Sequence, residues 1–188
     1  MQAAGCRKHL KLERFRYAGG RNGSRIWLIF WKIGGFKEPM KILFVCTGNT
    51  CRSPMAEGLF RKMMLERGLE DRVLCQSAGL SAVEGAPVSE NAVLACRERE
   101  IDISDHTARK LTGDELDVWD LYFSMSKTHG YILGQAGVPQ TKIYIPHYID
   151  DPFGQGLDVY RQCRDKLEYE LEVFYRTCVN RLLVFEQV

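Results

Sequence analysis

Residues 46–53 read Cys-Thr-Gly-Asn-Thr-Cys-Arg-Ser and follow the apolar run Met40-Lys41-Ile42-Leu43-Phe44-Val45, which has the make-up of a buried strand. Pro54 comes next, a residue suited to the first turn of a helix, where its missing N–H costs nothing. A tight loop between strand and helix turns successive backbone N–H groups inward, and the helix N-terminus adds the positive end of its dipole. Such a segment cradles an anion, and phosphate is the expected ligand. Gly48 is expected to let the backbone turn and approach the anion, while Asn49 is one of the few non-glycine residues that tolerates a left-handed conformation. Cys46, at the mouth of the cradle, is placed as a nucleophile, because inward N–H dipoles and a nearby Arg52 favour thiolate over thiol. Arg52 offers the planar fork that holds two oxygens of a transferring phosphoryl group, and Ser53 a hydroxyl that can bond the sulfur. Cys46 and Arg52 are thus the expected catalytic residues, with Thr47, Gly48, Asn49, Thr50, Cys51 and Ser53 lining the phosphate. A Cys and an Arg at this spacing recur by chance; their place between strand and helix distinguishes them from a structural turn with an inert thiol.

A thiolate that attacks phosphorus needs an acid for the leaving group and then a base for water, and one carboxylate can serve as both. Asp150-Asp151-Pro152 lies in a turn between the last strand-like run and the last helix, where a loop can overhang the site. By position either aspartate qualifies, and an Asp-Pro pair alone is more often only a turn.

The elements that must hold these residues follow from periodicity. After Ser53, Met55, Leu59, Met63 and Leu65 recur at helical spacing and Gly68 is a stop signal. Val73 to Ser77 reads as a second strand, and Ser89 to Glu100 as a helix with Ala92, Val93 and Cys96 on one face. Leu121 to Ser124 and Lys142 to Ile145 are two further strands, with a helix around Lys127 to Leu133 between them and a long amphipathic helix over Leu157 to Leu183. Strands alternating with helices predict an α/β single domain, a four-stranded parallel sheet with about five helices on both faces. Ligands of such sheets bind at the carboxyl ends of the strands, which points to the loop after Val45.

The chain has 188 residues and a net charge of +2, unevenly spread. Residues 1–39 hold nine Lys/Arg against Glu13 and Glu38; the remainder has 17 basic and 22 acidic residues, a balance of −5. Domain 40–188 is therefore mildly acidic and no nucleic-acid partner is expected. Residues 1–39 are expected to be a basic, poorly ordered extension or a segment foreign to the native protein, with a strand over Arg25 to Phe30 as the alternative. The apolar run Ile26 to Trp31 is far short of the roughly 20 residues of a membrane-spanning helix, so no membrane association is expected. Seven cysteines, odd in number and without a C-x-x-C pair, fit reduced thiols in the cytoplasm better than a disulfide framework. The histidines lack zinc spacing, and neither a metal nor a cofactor is expected.

The segment Val-Cys-Thr-Gly-Asn-Thr-Cys-Arg-Ser-Pro-Met-Ala-Glu (45–57) resembles the signature of the low-molecular-weight protein tyrosine phosphatases. Ser77-Ala78-Gly79, Ile103 to Arg109 and Asp151-Pro152-Phe153 fall in that family's order across nearly all of 40–188. The resemblance implies a flavodoxin-like fold, a phosphocysteine intermediate, phosphorylated proteins as partners and a monomer. It selects Asp151 as the general acid, implies that Asn49, Ser77 and His106 brace the loop, and implies a reversible Cys46–Cys51 disulfide under peroxide. Tyrosine-specific members usually have an aliphatic residue at Thr50, an aromatic pair where this chain has Phe153-Gly154, and a Trp near Val83. Relatives with Thr at that loop position resemble protein-arginine phosphatases, so phosphoarginine is expected over phosphotyrosine, with Asp158 or Asp150 to receive the guanidinium. Two rivals are arsenate reduction, disfavoured because 100–160 holds no relay cysteine, and a non-catalytic phosphoprotein-binding module, disfavoured by retention of Arg52 and Asp151.

Overall fold

The computed structural model describes residues 38–185. The readings made for residues 1–37 lie outside the described residues.

Four strands, β1 (Met40–Cys46), β2 (Val73–Gly79), β3 (Leu121–Ser124) and β4 (Ile143–Tyr144), form one parallel sheet in the order β2-β1-β3-β4. β1 is central, pairing Phe44 with Ser77 on one side and with Phe123 on the other. The chain passes from β1 to β2 and then crosses back to β3, so the direction of winding reverses beside β1 and opens a crevice at its carboxyl end. That crevice is where residues 46–53 lie.

Alternation along β1 sorts its side chains between two layers, and both are dry. Ile42 and Phe44 face α1 (Arg52–Glu66), α2 (Glu90–Arg97) and α4 (Leu157–Phe174), joining a core with Met55, Phe60, Cys96, Leu167 and Phe174. Leu43 and Val45 face the opposite layer with Tyr122, Leu133 and Val138, the first and last of these bracketing α3 (Lys127–Gln135). Helices thus cover both faces, as the βαβ pattern predicts. Phe44, Phe60, Phe123, Tyr144 and Phe174 form a chain of tilted and edge-on ring pairs with centroids 5.0–5.8 Å apart. Each pair adds about 1 kcal/mol beyond its buried area, which fixes α1 and α4 against the sheet.

Three details differ from the sequence reading. α1 buries Met55, Leu59, Phe60 and Met64, whereas Leu65 is exposed. The apolar stripe follows the contacts with β1 and α4 rather than the strict spacing of hydrophobic residues. α2 ends at Arg97, because Glu100 turns into the left-handed region at φ 59°. The last helix is interrupted by a π-helical turn, Tyr175–Val179, before α5 (Asn180–Phe185).

Candidate active site

The loop between β1 and α1 is held from outside by its carbonyls. Cys46 C=O accepts from Leu80 N (2.9 Å), Thr47 C=O from Ser81 N (2.9 Å) and Thr50 C=O from Ser89 N (2.8 Å), while Cys51 C=O accepts from Met55 N at 3.2 Å in the first helical turn. Asn49 C=O lies 3.0 Å from His106 Nε2. A carbonyl only accepts, so His106 carries its proton on Nε2. In a trans peptide the N–H points opposite to the C=O. Tying these carbonyls outward therefore leaves the N–H groups of Thr47, Gly48, Thr50, Cys51 and Arg52 directed into the loop, at the N-terminus of α1, as an anion cradle.

Cys46 Sγ sits on the floor of this loop, buried, 2.9 Å from Ser53 Oγ and 3.2 Å from the N–H of Asn49. Asn49 supplies the left-handed turn, with φ 56°. Gly48, expected to make that turn, lacks positive φ, and a Cβ there would meet only Thr50 Oγ1 at 3.7 Å. The glycine the loop requires is Gly79 at the end of β2, where a Cβ would come within 2.5 Å of Thr47 O and 3.0 Å of Asn49 N. The buried Asn49 side chain donates from Nδ2 to Ser53 Oγ and Ser77 Oγ (both 2.9 Å) and accepts from Arg109 N at Oδ1 (2.9 Å). Ser77 Oγ then donates to Glu57 Oε2 at 2.7 Å. Cys51, also within the loop, has its Sγ 3.2 Å from Tyr160 OH, which accepts from Ser89 Oγ at 2.9 Å. Both Cys46 and Cys51 are free thiols. Thr50 is partly exposed.

Arg52 is buried and its Nη2 is bonded to Asp151 Oδ2; Asp151 is half-exposed and its Oδ1 accepts from Phe153 N at 3.2 Å. The loop that carries Asp151 turns at Gly154 (φ 76°) and is tied to α2 by Asn91 Nδ2 donating to Gln155 C=O at 3.1 Å. The fold thus brings Cys46, Arg52 and Asp151, which are 99 positions apart at the widest paired contact, into one constellation.

The model of the low molecular weight phosphotyrosine protein phosphatases matches residues 41–182. The chain belongs to this family. It is 38% identical over 138 residues to the protein-arginine-phosphatase of Bacillus subtilis, a match covering 69% of this chain and 90% of that protein. It is 32% identical over 139 residues to the low molecular weight protein-tyrosine-phosphatase PtpB of Staphylococcus epidermidis, covering 70% and 94%. Among solved structures, a variant of the YwlE arginine phosphatase with a phosphorylated active-site serine superposes with a TM-score of 0.66 at 34% identity, covering 74% of this chain and 98% of that one.

Two acidic residues considered for this phosphatase family's substrate side are otherwise engaged. Asp150 pairs with Lys166 Nζ, and that bond, with Tyr148, holds its carboxyl below the usual range. Asp158 pairs with Arg161 Nη1 at 2.6 Å and is largely exposed. Reading the sequence also missed His129. It lies in the first turn of α3, buried, with Nε2 2.9 Å from Thr47 Oγ1 and Nδ1 2.7 Å from Ser126 Oγ. Burial and then Arg52 push its pKa down from 6.5 to about 4, with Asp151 acting the other way. The one available signal was its place just past a strand's carboxyl end. Among the described residues no group of three or more His, Cys, Asp or Glu is arranged to hold a metal, and no helix is long and apolar enough to cross a membrane.

Proposed function

We propose that residues 40–188 form a cytoplasmic, cysteine-dependent protein phosphatase that works through a phosphocysteine and acts on phosphoarginine in preference to phosphotyrosine. The observation that carries the chemistry is the constellation itself: Cys46 Sγ at the floor of inward N–H groups, with Arg52 and Asp151 bonded to each other beside it. Arg52 leaves Asp151 to hold two phosphoryl oxygens. The Cys46 thiolate pair forms the S–P bond as the P–N bond breaks. The electrons of that bond go to the guanidine nitrogen, which takes the proton of the Asp151 carboxyl. Water then gives a proton to the Asp151 carboxylate and its oxygen bonds phosphorus as the S–P bond breaks, releasing phosphate and restoring the thiolate. The phosphorylated active-site serine of the YwlE variant, which replaces a cysteine, supports a covalent step.

The substrate preference rests on Thr50, a polar, partly exposed side chain where tyrosine-specific relatives are aliphatic. The rim supports it: Phe153 is an exposed aromatic followed by Gly154, and exposed Val83 stands in the region where those relatives place a ring. The Bacillus subtilis relative is a protein-arginine-phosphatase, which supports the same preference. Asp151 is the carboxyl group next to the loop, so it both faces the leaving guanidine and gives its proton to the nitrogen freed from phosphorus. Arsenate reduction is disfavoured, since burial pushes the thiols of Cys75, Cys96 and Cys163 up to about 12, unlike relay thiolates. The test is hydrolysis of phosphoarginine and phosphotyrosine peptides by the wild type, Cys46→Ser and Thr50→Ile. The wild type is expected to favour phosphoarginine, Thr50→Ile to shift toward phosphotyrosine, and Cys46→Ser to bind phosphate without turnover. Turnover by Cys46→Ser would overturn the mechanism; an unchanged preference for phosphotyrosine in both other proteins would overturn the substrate.

A further inference from the structure

Thr47 is fixed on two sides. Its carbonyl accepts from Ser81 N at 2.9 Å, and its Oγ1 lies 2.9 Å from His129 Nε2. The first contact comes from the turn after β2 and the second from α3, so the residue immediately after Cys46 is clamped between two elements that flank β1. The α3 side is capped and closely packed. Ser126 caps the helix, its Oγ accepting from His129 N at 3.3 Å. Gly130 lets the first turn seat so closely that a Cβ would meet Ile145 Cδ1 at 2.8 Å and Ser124 Oγ at 3.2 Å. The first turn of α3, which carries the imidazole, is thereby packed close against Ile145 and Ser124.

One tautomer gives each group in this chain a single role. In it Ser126 Oγ accepts the backbone N–H of His129 and donates its own hydrogen to Nδ1, 2.7 Å away. Nδ1 then accepts, and Nε2 carries the proton and donates to Thr47 Oγ1. A protonated ring would add charge near Arg52; burial and that arginine keep the ring neutral across the neutral range. The peptide between Thr47 and Gly48 is pinned at its carbonyl by Ser81 and at the preceding side chain by His129, so the direction of the Gly48 N–H is fixed twice.

We propose that His129 is a positioning residue for phosphoryl transfer: a Ser126–His129–Thr47 relay that sets the front of the phosphate loop from α3, acting through Thr47 rather than touching substrate. This rests on the phosphatase reading, but its signature is a loop-dependent affinity for oxyanions as well as a rate.

The experiment uses the full chain with Thr47→Val, His129→Leu, His129→Gln and the Thr47→Val/His129→Leu double variant. It measures kcat and KM for p-nitrophenyl phosphate, inhibition by inorganic phosphate, and thermal unfolding. Thr47→Val and His129→Leu are each expected to lower kcat and weaken phosphate inhibition by about five- to tenfold, the size of one hydrogen bond lost at a positioned group. The double variant should lose no more than the worse single one, because the two act as a unit. His129→Gln, whose side-chain amide donates near the Nε2 position, should recover most of kcat even where its melting temperature stays low. A merely structural histidine would lower the melting temperature and leave the affinity for phosphate unchanged. Multiplying single effects, a Gln variant no better than Leu, or wild-type kcat and phosphate inhibition in Thr47→Val would overturn the relay. Should His129→Leu not fold, Thr47→Val decides alone, since it removes only one hydroxyl from an exposed side chain. Absence of any turnover by the wild type would sink the phosphatase reading, whereas phosphate binding across the same variants would still decide the relay.

Discussion

Replacing Asn49 by Ala tests how the loop is held. The side chain makes three hydrogen bonds, to Ser53 Oγ, Ser77 Oγ and Arg109 N. After truncation the two hydroxyls each keep another partner, Cys46 Sγ and Glu57 respectively, so each lost bond costs only about 1 kcal/mol. The Arg109 N–H is left unpaired, a penalty of about 2 kcal/mol. Alanine must also hold the φ of 56° that asparagine tolerates, for about 1 kcal/mol more. The sum is about 5 kcal/mol, a third or more of the stability of a typical domain. Asn49→Gly makes the same bonds impossible but accepts the backbone, so it should be about 1 kcal/mol more stable than Asn49→Ala. Asn49→Asp keeps the acceptor for Arg109 N and should fall between asparagine and glycine. Urea unfolding, with the midpoint compared at constant slope, orders the four proteins. A loss below about 2 kcal/mol in Asn49→Ala, or a glycine variant less stable than the alanine one, would refute the accounting.

Two further outcomes follow from the same geometry. Gly79→Ala should destabilise by about 2–3 kcal/mol and depress kcat by about a hundredfold, since its Cβ displaces the backbone at Thr47 and Asn49. Gly48→Ala, which meets only Thr50 Oγ1, should unfold near the wild-type midpoint. Stability should also depend on pH through His129, whose pKa is 6.5 when unfolded and about 4 when folded. Between those values the unfolded chain binds more protons, so the stabilisation is complete above pH 6.5, declines as pH falls, and levels off below about 4. The gap corresponds to about 3 kcal/mol at most. Denaturant melts at pH 7.5 and 4.5 should therefore show a smaller pH difference in His129→Gln than in the wild type; equal differences would refute it.

What the sequence made legible is what neighbouring residues decide. The strand, the loop and the helix that follow one another from Met40 to Glu66 are continuous in the chain, and each announces itself by a local rule: an apolar run, Gly and Asn in a turn, Pro in a first turn. Asp151 was reachable only because a recognised motif order joined it to Cys46; its ion pair with Arg52 spans 99 positions. His129 was not reachable, and Gly79 appeared only as the end of the Ser77-Ala78-Gly79 segment, with no role of its own. One bonds Thr47 from 82 positions away and the other yields space to the same residue from a neighbouring strand, and neither has a local pattern that a lone histidine or glycine lacks elsewhere. The ion pairs of the two other aspartates differ in the same respect: Asp158 pairs with Arg161 one helical turn away, whereas Asp150 meets Lys166 across 16 positions.

The backbone accounting explains why such distant residues concentrate on this loop. A segment whose N–H groups all turn inward has carbonyls that turn outward, and each of those needs a donor in a place where water is scarce. Residues 80, 81, 89 and 106 supply them from three separate segments. The donors are mostly backbone N–H groups, which any sequence provides, so they leave no trace in composition. His106 is an exception visible in a motif. His129 differs again: it holds a side chain rather than a carbonyl, so it acts on the loop through Thr47 Oγ1.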